Sequence, residues 1–265
     1  MTAGLEVRDL SVRYGGNVAV AGVTLSAPMG RLTGLIGPNG AGKTTTFNAC
    51  SGLLRPATGQ VLLFDSDVTR LGPARRARRK LGRTFQRMEL FSSMTVAENV
   101  ALGREAGLGG SNPLRQFLAS PAQRRAVQAA TEEALDACFI TDLAHQAVET
   151  LSTGQRRLVE LARVLAGGFR MLLLDEVSSG LDHAESEHLG GILRRLVDER
   201  GVGILLVEHD MALVMAVCDY LYVLDFGKPI FEGTPPEVQA SPIVRAAYLG
   251  SEAGLQAAGH AAKVV

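Results

Sequence analysis

The sequence predicts an α/β fold. A parallel sheet is covered by helices on both faces, with an antiparallel β subdomain at the N-terminal end and a helical subdomain inserted in the middle. Three observations predict it. Short, almost wholly apolar runs at residues 32–36, 171–174, 203–207 and 221–224 read as strands buried on both faces. Helical runs lie between them, which is the alternation of a parallel sheet. The long helix-rich stretch over residues 94–168 breaks that alternation, so it reads as an insertion.

In chain order, residues 5–30 alternate apolar and polar, with turn signals at Gly15-Gly16 and Pro28-Met29-Gly30, as antiparallel strands do. The apolar run 32–36 leads straight into a glycine-rich loop. A helix over residues 44–54 follows, ending at Ser51-Gly52 or shortly after, because Pro56 cannot continue it. Residues 61–64 form another short strand. The basic run Arg75-Arg76-Ala77-Arg78-Arg79-Lys80 lacks interleaved aromatics, and it reads as a solvated helix or an anionic-headgroup contact. Between residues 94 and 145 the pattern is helical, interrupted by a loop by composition at Gly107-Leu108-Gly109-Gly110-Ser111-Asn112-Pro113. Residues 184–200 place Leu189, Ile192, Leu193, Leu196 and Val197 on one helical face, with Gly201 as the stop. Residues 1–250 are read as one domain and the Ala/Gly-rich residues 251–265 as a flexible tail.

Composition narrows the functional classes. With 265 residues, 46% of them hydrophobic, the chain can bury a substantial core. Its formal net charge of zero argues against nucleic-acid binding driven by a global positive field. Cys50, Cys138 and Cys218 are widely spaced, so they read as buried free thiols of a reducing compartment. No secretory signal is visible, and no apolar run approaches the ~18 residues that span a bilayer. The expectation is a cytoplasmic protein that reaches a membrane only through a partner.

The chemistry concentrates at the ends of the predicted strands. Gly37-Pro38-Asn39-Gly40-Ala41-Gly42-Lys43-Thr44, with Thr45 after it, has the G-x-x-x-x-G-K-[ST] spacing between a strand and a helix. Such a loop wraps nucleotide phosphates with backbone N–H groups, Lys43 meets the β- and γ-phosphates, and Thr44 offers a hydroxyl to Mg²⁺. Asp175-Glu176 ends an apolar run at the edge where parallel sheets bind ligands. Asp175 is placed to hold Mg²⁺ and Glu176 to polarise a water. His209 follows another strand through Glu208 and suits a contact with the γ-phosphate. Gln86 can coordinate Mg²⁺ through its amide oxygen, and Tyr14 can stack on adenine for ~1–3 kcal/mol.

Leu151-Ser152-Thr153-Gly154-Gln155 decides between the families these motifs allow. Together with Tyr14, the Gly37–Thr44 loop, Gln86, Asp175-Glu176, Ser179-Gly180-Leu181-Asp182 and His209, it resembles the ordered motif set of an ATP-binding-cassette ATPase over residues 5–250. The resemblance implies a nucleoside triphosphatase core of the phosphate-loop type. It also implies ATP and Mg²⁺ as cofactors and a second, identical or non-identical, cassette. Ser152, Gly154, Gln155 and Asp182 would meet the ATP held by that other cassette. Arg83-Thr84-Phe85-Gln86, Leu90-Phe91, Met94-Thr95-Val96-Ala97-Glu98-Asn99, Val207-Glu208-His209-Asp210-Met211 and Ala247-Tyr248-Leu249-Gly250 resemble branched-chain amino-acid importer cassettes. Residues 107–121 look like the extra loop of the longer cassette subunit in those importers. Such a cassette works with two membrane-spanning permease subunits and, indirectly, an extracytoplasmic solute-binding protein, and with no nucleic acid. Lipopolysaccharide-export cassettes are similar near the end of the domain. Soluble non-transport cassettes usually carry paired cassettes or a coiled-coil insertion, which this chain does not show. Two positions depart from the usual motifs: Thr153 replaces a glycine of the signature, and Val177 replaces the proline after Glu176.

Overall fold

A computed structural model describes residues 4–84, 89–109 and 120–248. Strands β1 (Leu5–Tyr14), β2 (Asn17–Ala27), β4 (Thr58–Leu63) and β5 (Ser66–Asp67) form an antiparallel sheet in the order β2-β1-β4-β5. A second sheet runs β10-β9-β3-β8-β7-β6, with β3 (Leu32–Ile36), β6 (Leu81–Arg83), β7 (Met171–Asp175), β8 (Gly203–Val207), β9 (Tyr220–Asp225) and β10 (Lys228–Gly233). All its pairings are parallel except β9 with β10, which form a hairpin at the edge.

The period of two along the strands explains why their apolar runs are unbroken. Leu172, Leu174, Ile204 and Leu206 face one core, while Leu173, Leu205 and Val207 face the other. The second core also takes Val7, Leu25 and Val61 of the antiparallel sheet and Phe47, Ala49 and Cys50 of helix α1 (Lys43–Ser51). That helix is thereby packed between the two sheets. It stops at Gly52, whose φ of 81° suits the left-handed cap.

On the other face lie α6 (His183–Arg200) and α7 (Met211–Val217), numbered after the helices of the inserted block. Leu189, Ile192, Leu193, Leu196 and Val197 are buried as the periodicity predicted, and Gly201 ends α6 in a left-handed cap at φ 61°. The inserted block comprises α3 (Val96–Gly109), α4 (Pro121–Ala137), single turns at Thr141–Leu143 and Val148–Thr150, and α5 (Thr153–Ala166). Ser120 and Gln123 form a capping box at the start of α4. Beyond β10, helix α8 (Pro235–Ala240) and helical residues 242–248 return to the large sheet.

Two sequence expectations need correction. Gly107, Leu108 and Gly109 are not loop but the last turn of α3; residues 110–113 lie outside the described part. Glycine costs a helix only about 1 kcal/mol. Here small residues also permit close packing, since a Cβ on Gly103 would lie 1.9 Å from the Arg163 carbonyl oxygen of α5. The basic run is helical, as α2 (Pro73–Arg78), but it is not uniformly solvated. Arg76 is 1% exposed. Its guanidinium donates to the carbonyls of Ala49 (2.7 Å), Cys50 (2.6 Å), Leu71 (2.8 Å) and Thr69 (3.2 Å). It caps the open carbonyl end of α1, a tertiary role that a charge count does not disclose.

Candidate active site

From Ile36 the chain turns at once toward α1. Gly37 (φ 149°), Gly40 (φ 79°) and Gly42 (φ 96°) make the turn in backbone regions that side chains resist. At Gly37 space matters as well, since a Cβ would sit 2.1 Å from the Leu224 carbonyl oxygen. Lys43 opens the helix and is buried. Its Nζ donates to the carbonyls of Gly37 (2.6 Å) and Pro38 (2.9 Å). Burial pulls the Lys43 pKa below its ordinary value, opposed by the carboxylates of Glu176 and Asp175. A cation held inside a loop of this kind, at the positive end of a helix, is equipped to receive phosphate.

The neighbouring strand ends bring the acid groups to the same edge. Asp175, 2% exposed, donates its N–H to Thr84 Oγ1 (3.1 Å) and accepts from Arg83 Nη2 (3.2 Å). Burial raises its carboxyl pKa, with the Arg83 charge acting against the rise. Glu176 follows at φ 50°, a strained setting that costs a non-glycine residue on the order of 1–3 kcal/mol. Its N–H is bonded to the Val207 carbonyl (2.8 Å), which fixes that backbone against β8. His209 stands just beyond β8 with Nε2 2.8 Å from Glu176 Oε1. When the carboxylate accepts, the proton of the imidazole resides on Nε2.

Sequence reading missed the group that laces these segments together. Glu208 is 3% exposed and accepts from Ser178 N (2.7 Å), Ser178 Oγ (2.7 Å) and His209 N (3.1 Å). Burial raises its pKa, and those hydrogen bonds oppose the rise. Asp210 adds a second tie by accepting from Ser186 Oγ (2.8 Å) on α6. A carboxylate standing between an apolar strand and a histidine was the available signal.

A cavity of about 390 Å³ unites loop residues 39–45, which include Lys43, Thr44 and Thr45, with Glu176 and His209. Val18, Ala19 and Phe226 complete its walls. Gly37 and Pro38 are buried at the root of the loop. Tyr14 ends β1 with 52% of its surface exposed and is not among the lining residues. Ser152, Gly154, Gln155 and Asp182 are also outside that cavity. Ser152 caps α5, accepting from Gln155 N (3.2 Å) while Gln155 Oε1 accepts from Ser152 N (3.0 Å). Asp182 caps α6 in the same reciprocal way with Glu185. Gly154 lies against Glu185, where a Cβ would come within 2.3 Å of Oε1, so the two helix starts are packed together. Thr153 is exposed, its methyl near Gly180, and Val177 is buried. Gln86 lies outside the described residues.

Residues 20–179 match the family model for ABC transporters, and residues 228–254 match that for the branched-chain amino acid ATP-binding cassette transporter. The chain belongs to the ATP-binding cassette transporter family. It is 39% identical to the high-affinity branched-chain amino acid transport ATP-binding protein BraF of Pseudomonas aeruginosa, over 93% of this chain and 97% of that one. It is 36% identical to the lipopolysaccharide export system ATP-binding protein LptB of Acidithiobacillus ferridurans, over 94% of this chain and 97% of the other. The crystal structure of the ADP conformation of an ATP-binding cassette of an ABC transporter superposes with a TM-score of 0.82. That cassette is 28% identical, and the match covers 94% of this chain and 100% of the other. This cassette is accordingly a nucleotide-binding ATPase whose hydrolysis is coupled to transport. Among the described residues no helix is long and apolar enough to cross a membrane.

Proposed function

We propose that this cassette is the ATP-hydrolysing subunit of an importer for branched-chain amino acids or related small solutes. The observation that carries the reading is the match of residues 228–254 to the branched-chain cassette model. Its described part, residues 228–248, comprises β10, α8 and the helical residues after it, and Val238 and Val244 anchor it in the core. Tyr248 is half-buried against Met211, its pKa pushed up to about 12 by partial burial despite a backbone hydrogen bond with Gly37. The similarity to LptB keeps a lipid or lipopolysaccharide exporter as the second reading.

In this reading the phosphate loop and Lys43 bind the β- and γ-phosphates, and Tyr14 receives the adenine. Glu176 accepts the proton of the attacking water. His209, bonded to Glu176, holds the carboxylate in place and meets the γ-phosphate. Thr44, Asp175 and Gln86 offer a hydroxyl, a carboxylate and an amide oxygen, the hard donors Mg²⁺ takes alongside water and phosphate, so the set fits the ion. Bound there, Mg²⁺ would supply charge neutralisation to the phosphates. Ser152, Gly154, Gln155 and Asp182, which do not line the chain's own cavity, serve the nucleotide of a second cassette, identical or not. Closure of that pair would drive two permease subunits on the inner face of the membrane, supplied by an extracytoplasmic solute-binding protein.

Two measurements test this. Glu176→Gln should lower ATP turnover by about 10²–10⁴-fold while ATP remains bound and favours the closed dimer; normal turnover would remove Glu176 as the base. Purifying the assembled membrane complex should recover permeases and a binding protein for branched-chain amino acids. Recovery of lipopolysaccharide-export components, or of ribosomes, would overturn the importer reading.

A further inference from the structure

Phe226 is 89% exposed, more than any other large apolar side chain among the described residues. It also occupies a backbone position that phenylalanine resists. Asp225 and Lys228 pair as the ends of the β9–β10 hairpin, leaving Phe226 and Gly227 as its turn, at φ 44° and 76°. Two positive φ angles define a type I′ turn, whose first position favours Asn, Asp or Gly. The turn is also fastened in place. Gly227 N donates to Ala41 O (3.1 Å) in the phosphate loop, and Gly227 O accepts from Ala21 N (2.8 Å) on β2. A Cβ on Gly227 would lie 2.5 Å from the Ala19 carbonyl oxygen. An unfavourable, exposed aromatic is thus held rigidly at the wall of the cavity that contains Lys43, Glu176 and His209.

We infer that Phe226 is a nucleotide-binding residue that packs on the base or ribose of the nucleoside triphosphate, an aromatic contact additional to Tyr14. This rests on the reading of residues 37–44 as the phosphate site. Val18, itself 50% exposed, lines the same cavity and extends the apolar surface on offer. Stacking on an aromatic face tolerates any base, so the contact adds affinity for the nucleoside part of the ligand without reading its identity.

The test is equilibrium titration of the full chain with ATP, ADP and inorganic tripolyphosphate, comparing wild type with Phe226→Asn and Phe226→Tyr. Asparagine suits the first position of a type I′ turn, so Phe226→Asn removes the ring while preserving the hairpin, checked by an undiminished Tm. ATP and ADP should bind roughly tenfold more weakly to Phe226→Asn, tripolyphosphate should bind unchanged, and Phe226→Tyr should resemble wild type. Equal ATP affinity in Phe226→Asn and wild type would overturn the inference. So would a change confined to self-association of the ATP-loaded protein, which would assign the ring to a second cassette. Loss of tripolyphosphate affinity in Phe226→Asn would also overturn it, by showing damage to the phosphate loop. Failure of the wild-type chain to bind tripolyphosphate would bring down the phosphate-site reading itself.

Discussion

Arg83, largely shielded from solvent, and the buried Asp175 form an ion pair across the parallel strands β6 and β7, Nη2 to Oδ2 at 3.2 Å. The other arm of the guanidinium donates to Asn48 Oδ1 (2.8 Å) and Ser51 Oγ (2.7 Å) on α1, and its plane lies over the Phe47 ring at 4.8 Å. One side chain therefore ties the acidic end of β7 to the helix that carries the phosphate loop. Removing one member of a buried pair strands the other charge, at a cost of about 3–5 kcal/mol. Arg83→Ala should lower the nucleotide-free unfolding free energy by about that much in urea titration. A loss below about 1 kcal/mol would mean that Asp175 is neutralised by other means.

Arg76 is the second stability prediction. Arg76→Ala leaves the carbonyls of Ala49, Cys50, Leu71 and Thr69 without this donor, and each buried polar group so deprived costs about 1–3 kcal/mol. The expected loss is about 3 kcal/mol or more. Arg75→Ala, on the exposed side of the same helix, should stay within about 0.5 kcal/mol of wild type. Equal effects of the two substitutions would contradict the capping role.

Burial sets the behaviour of the thiols. It pushes Cys50 and Cys138 up to about 12 and Cys218 higher still. A raised thiol pKa means that folding favours the protonated form. The associated stability is therefore fully present at neutral pH, begins to fall as pH passes the ordinary thiol value of 9.0, and is lost by about 12. The reactive thiolate is correspondingly scarce in the folded state at pH 8. Iodoacetamide should leave all three cysteines unmodified in native protein and label all three in urea, as read by mass spectrometry. Rapid native labelling of any one would show that its site opens locally.

Local pattern made much of this protein legible. The apolar runs around 32–36, 171–174 and 203–207 are strands because every side chain there has a buried face to meet, so unbroken hydrophobicity survives in the sequence. The glycine loop was readable because its backbone shape demands glycine at fixed positions. What escaped depends on partners distant in the chain. Arg83 and Asp175 are separated by 92 positions, and nothing near either one announces the pairing. Arg76 looked like its solvated neighbours because charge is visible in sequence and burial is not. Gly107 and Gly109 read as loop because composition does not show that the helix begun at Val96 runs on through them. Glu208 carries no motif of its own, yet it is the acceptor that joins the segment after β7 to the segment after β8.

The cap on α1 reaches further than that helix's own stability. The helix has 9 residues and is about 13 Å long, so its electronegative end lies near enough to weaken the attraction of its opposite end for an anion. Arg76 places a full positive charge on that distant end. On the proposed reading of residues 37–44, the loop's hold on a phosphate is in this way partly set from behind, by a residue outside the cavity. If that reading holds, a substitution of Arg76 that the fold survives should weaken triphosphate binding slightly even though the cavity's own residues are unchanged.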